Sequence, residues 1–62
     1  MDVQIINGTK VKSGNEIIIC KGHWAIGNKI KRYIFESEQG TIFERDFNYI
    51  QGLIANKQIE KL

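Results

Sequence analysis

Turn signals cut the first forty residues of this chain into short β-branched runs, and that punctuation constrains the fold more than anything else. Asn7-Gly8 is the strongest short hairpin signal, because both residues tolerate the positive φ of a type I′ turn. Ser13-Gly14-Asn15 is a second turn cluster, and Gly27-Asn28 suits a two-residue hairpin. Glu36-Ser37-Glu38-Gln39-Gly40 is polar and reads as a loop. The runs between these signals are residues 3–6, 9–12, 16–20, 23–26, 29–35 and 41–44, with a bulge or bend at Lys21-Gly22. Twelve isoleucines against two leucines, and no proline, favour strands over helices.

Alternation in residues 29–35 is the clearest: Ile30, Arg32 and Ile34 are expected on one face, and Lys31, Tyr33 and Phe35 on the other. Ile17-Ile18-Ile19 does not alternate, so both of its faces are expected to be covered. Beyond the strands, Asp46 is a candidate N-cap, and Phe47, Ile50 and Ile54 fall on one helical face with Leu53 beside them. Gly52 weakens that helix. The tail from Lys57 continues the helix or adds a strand to a partner. The expected fold is mainly β: about five short antiparallel strands in meander order, curled into an SH3-like small barrel and closed by one C-terminal helix. A flat antiparallel sheet packed on the helix, its edges paired across a dimer, is the alternative.

One domain of 62 residues buries only ~60% of the surface its unfolded chain exposes, so small domains usually carry a staple. A single cysteine, Cys20, allows no intrachain disulfide, and self-association as a homodimer is the expected substitute. No run approaches the ~18 apolar residues of a membrane span, and Met1-Asp2-Val3-Gln4 is not a secretory signal, so a cytoplasmic location is expected. The abundance of Ile, Lys and Asn suits an AT-rich genome such as a low-GC bacterium or its phage.

Candidate catalytic and metal sites each lack a member. Cys20-Lys21-Gly22-His23 has the spacing of half a zinc site, but the chain has no second pair. The same Cys and His lack an orienting group and an oxyanion hole for nucleophilic catalysis. The segment from Gly22 to Lys29 departs from a phosphate-binding loop by an extra Asn28 and by Ile30 in place of Ser or Thr. Acid–base work by Glu36, Glu38, Glu44 and Asp46 needs them to converge in a cleft, and Glu36 and Glu38 read instead as part of a solvated loop. The chain is therefore expected to be no enzyme and to need no cofactor or metal.

The most informative stretch is basic and aromatic. Residues 17–35 contain no acid, and within them lie Lys21, His23, Trp24, Lys29, Lys31, Arg32, Tyr33 and Phe35. Cations track phosphates and aromatic faces stack on bases, so this face could bind nucleic acid. Trp, Tyr and Arg also dominate protein interfaces. The net charge of +2 favours the protein partner. The expected function is a non-catalytic protein-interaction or inhibitor module of phage or mobile-element type, acting on a host factor. Nucleic-acid binding is the alternative, and sequestration of a small ligand at a dimer interface is third. Trp24-Ala25-Ile26-Gly27 with Ile30, and Glu44-Arg45-Asp46 before the helix, resemble the small archaeal chromatin proteins of the Sulfolobus DNA-binding family. That resemblance covers a small part of the chain without a diagnostic motif or their lysine content. It implies DNA contact through Trp24 and Ile26.

Overall fold

Glycines at two hairpin corners set the register of the sheet. The computed structural model describes residues 2–62. Strand β1 (Lys10–Ser13) turns through Gly14-Asn15 into β2 (Glu16–Ile26), placing Ser13 opposite Glu16. Strand β2 turns through Gly27-Asn28 into β3 (Lys29–Glu36), placing Ile26 opposite Lys29. In both turns only the first central residue, Gly14 or Gly27, has positive φ, at 64° and 61°. That is the type II′ pattern, whose twist suits antiparallel strands. Strand β4 (Ile42–Asp46) pairs with β3, helix α1 (Phe47–Ala55) follows, and β5 (Ile59–Lys61) returns to pair with β1.

The protein is mainly β, with five antiparallel strands in one sheet in the order β4-β3-β2-β1-β5. The sheet is not closed: β4 and β5 are its edges. Among the described residues no helix is long and apolar enough to cross a membrane.

Several local expectations hold. Asp46 caps α1, its carboxylate accepting the N–H groups of Asn48 and Tyr49 at 3.0 and 3.3 Å. The bend at Lys21 is a bulge: Cys20 lies opposite Phe35 and Gly22 opposite Ile34, so Lys21 is the extra residue.

Other expectations are corrected. Residues 3–6 form no strand; the polypeptide there is tied to the helix by a side chain instead of a sheet ladder. The Asn7-Gly8 turn closes with Thr9 N–H donating to Ile6 C=O at 3.0 Å, and only Gly8 has positive φ. That is a type II pattern, not I′. The tail neither extends the helix nor leaves for a partner, since β5 pairs with the chain's own β1. Ile17-Ile18-Ile19 is not covered on both faces: Ile18 is 6% exposed but Ile17 37%.

The faces of β3 also differ from strict alternation. Trp24 lies opposite Arg32 but Ala25 opposite Ile30, which makes Lys31 a second extra residue. The bulge shifts the phase, so Ile30 packs against the core on the same side as Tyr33 and Phe35. Arg32 and Ile34 are left on the other face.

The core lies between the sheet and α1. Ile5, Val11, Ile18, Cys20, Tyr33, Phe35, Ile50 and Ile59 are buried. Rings form a continuous row through it: Phe47–Tyr33 at 5.5 Å, Tyr33–Phe35 at 5.9 Å and Phe35–Phe43 at 5.7 Å between centroids. Tilted contacts at these distances add to area burial.

Candidate binding surface

The outer face of the sheet, opposite α1, carries Trp24 and Arg32 of the basic segment, whereas His23 lies opposite buried Tyr33 on the helix side. Side chains two apart on a strand share a face, and directly opposed residues do too. Trp24 therefore stands beside Arg32, and Ile26 beside Lys29, on one surface of the β2–β3 hairpin. Trp24 is 58% exposed and Ile26 72%, so the hairpin carries two large apolar side chains into solvent. Gly22 lies opposite Ile34 on the same face, and a Cβ there would stand 3.7 Å from Ile34 Cδ1.

The sequence-based set divides in two. Lys21, His23, Trp24, Lys29, Lys31 and Arg32 are exposed. Tyr33 and Phe35 are core residues, 1% and 0% exposed, and cannot stack on a ligand at the surface. Their burial follows from what covers that side of β3: Phe35 lies opposite Cys20 and Phe43, and Tyr33 packs on Phe47 of the helix. Ile26, absent from that set, is the most exposed large apolar side chain of the hairpin. Its place beside a two-residue turn was the available signal, because a residue closing such a turn has few neighbours to cover it.

Carboxylates from neighbouring strands temper the charge. Arg32 pairs with Glu44 at 3.5 Å and lies opposite Asp46. Lys21 pairs with Glu36 at 3.6 Å. Both pairs are solvated and contribute little to stability.

Cys20 and His23 do not form a reactive pair. Cys20 is fully buried, its thiol donates to the Gly22 carbonyl at 3.3 Å, and burial pushes its pKa up. A thiol held protonated is a poor nucleophile and ligand. Among the described residues, no three His, Cys, Asp or Glu side chains gather as a metal site would require.

Comparison with known proteins gave no match: no family model, no curated protein and no solved structure matches this chain.

Proposed function

We propose that this chain is a non-catalytic binding module whose partner surface is the outer face of the β2–β3 hairpin, and that the partner is a protein. The observation that carries the reading is the pairing of exposed Trp24 and Ile26 with Arg32 and Lys29 on one face. Desolvating an exposed Trp and Ile beside cations is the composition of an interface hot spot. The complementary surface is an apolar cleft with an acidic rim. A small binder of this kind would act by occluding a larger factor, as an inhibitor of phage or mobile-element type does.

Nucleic acid is the second reading, favoured by exposed Lys29 and Arg32 on the same face as Trp24. The charge balance favours protein, because Lys21 and Arg32 already have carboxylate partners and would release fewer counterions from a phosphate backbone. The sheet order, with the helix between the last two strands, supports classifying the fold as an SH3-like small barrel. Homodimer formation is supported by exposed Ile17 and Ile42 on the same outer face of a domain with a small core.

The test uses Trp24 itself, the single tryptophan of the chain. Capture from a lysate of the source cells, with nuclease treatment, is compared between the native chain and Trp24→Ala and Arg32→Glu. A protein retained by the native chain and lost from both variants, with a blue shift of Trp24 emission on binding, supports the reading. Salt-dependent binding of oligonucleotides without a protein partner replaces it with the second.

A further inference from the structure

We propose that the groove beside the β4 edge takes an extended segment of a partner protein that pairs with β4 and presents an acidic residue followed two positions later by an apolar one. This site uses neither Trp24 nor Ile26, although β4 pairs with β3 of that hairpin.

The groove has a volume of about 370 Å³ and is lined by residues from five elements, among them Phe43 and Arg45 of β4, Tyr49 and Leu53 of α1, and Ile59 of β5. Buried Ile18 and Ile50 form its floor, and Tyr49 at its rim is 57% exposed. Strand β4 is the last strand of the sheet, so the polar backbone groups on its free side have no ladder partner. An extended segment added there satisfies those groups, and its side-chain pattern sets specificity.

Charge fixes the pattern. Arg45 lies 4.6 Å above the Phe43 ring and donates from Nη1 to the Glu44 carbonyl at 2.7 Å. The ion pairs among the described residues are Lys21–Glu36 and Arg32–Glu44, so the Arg45 guanidinium faces the groove with no carboxylate of its own. Glu16, on the far wall, already accepts the Glu38 N–H at 3.4 Å. A carboxylate on the incoming strand is therefore drawn to the β4 side. Phe43 and Arg45 are two apart and share a face, so an antiparallel partner places its acid opposite Arg45 and, two residues on, its apolar side chain opposite Phe43. The residue between them meets Glu44 on the outer face, where a base shares that carboxylate with Arg32.

The probe is the peptide acetyl-Thr-Val-Glu-Lys-Ile-Thr-amide, titrated into labelled protein and followed by backbone amide shifts. A control peptide exchanges Glu and Lys, keeping composition and net charge. Saturable shifts across β4 and Tyr49 are expected, with the control binding about fivefold more weakly. Arg45→Glu should invert the preference between the two peptides. Arg45→Gln, which keeps size without charge, should abolish it if the charge-reversed chain does not fold. Four results would overturn the proposal: no shift in β4, equal binding of both peptides, shifts confined to the β2–β3 hairpin, or β4 shifts that grow with protein concentration alone. The last would identify the occupant as a second copy of this chain.

Discussion

The side-chain amide of Gln51 holds the backbone of Val3 at both ends. Its Oε1 accepts the Val3 N–H at 2.9 Å, and its Nε2 donates to the Val3 carbonyl at 2.8 Å. The same Nε2 donates to the Tyr33 hydroxyl at 2.8 Å. One helical side chain thus replaces a strand for residues 3–6 and seats Ile5 in the core. Gln51→Ala is expected to cost about 1–3 kcal/mol, because it unpairs part-buried backbone groups. Urea denaturation measures the loss, and faster hydrogen exchange at Val3 and Ile5, with the Phe35 amide less affected, locates it.

Helix α1 ends in a Schellman arrangement with the wrong residue for it. Gln58 N–H donates to Leu53 C=O at 2.8 Å and Lys57 N–H to Ile54 C=O at 3.0 Å, with Lys57 at φ 61°. A β-carbon in that conformation is strained, and glycine is not. Lys57→Gly should raise stability by about 0.5–1 kcal/mol, read as a higher urea midpoint with an unchanged slope.

Alkaline pH should weaken the fold. Burial raises the pKa of the Cys20 thiol above its ordinary 9.0 and that of the Tyr33 hydroxyl above its ordinary 10.0. For Tyr33, the Gln51 hydrogen bond opposes the rise, whereas the nearby Cys20 and Asp2 charges add to it. Both groups are neutral when protonated, so the folded state holds these protons more tightly than the unfolded chain does. Their contribution is complete below the unfolded values and falls as pH rises through them. Denaturation midpoints should therefore be flat near neutrality and decline above about pH 9. Cys20→Ala and Tyr33→Phe should each flatten part of that decline.

Aromatic residues of the same hairpin should separate sharply on truncation. Phe35→Ala removes a fully buried ring from the aromatic row and is expected to cost about 3–5 kcal/mol, enough to unfold a domain this small. Trp24→Ala removes a ring already 58% exposed and should change stability by less than about 1 kcal/mol. Thermal melts of both variants check this. A large loss for Trp24→Ala would mean that the ring holds the sheet together instead of facing a partner.

Much of the local structure was legible because its causes are local. Gly14 and Gly27 stand where a two-residue turn needs positive φ, Asp46 stands where a helix needs an acceptor, and Lys21-Gly22 marks its bulge. The failures are non-local. Residues 3–6 read as a strand because nothing in their composition shows that Gln51, far along the chain, will take their backbone hydrogen bonds. Lys31 gives no sign of being an extra residue, yet its bulge brings Ile30 to the side of Tyr33 and Phe35.

The candidate surface divides along the same line. The sequence by itself determined a mainly β chain and an acid-free segment carrying Trp24, Lys29 and Arg32, since β-branched propensity, turn chemistry and charge are properties of neighbouring residues. Tertiary structure alone decided that Tyr33 and Phe35 are core, that Trp24 and Ile26 are exposed, and that Arg45 faces a groove at a free edge. A side chain's burial depends on which distant strand and helix arrive to cover it, and the phase of β3 is fixed only when the bulges set its register against β2.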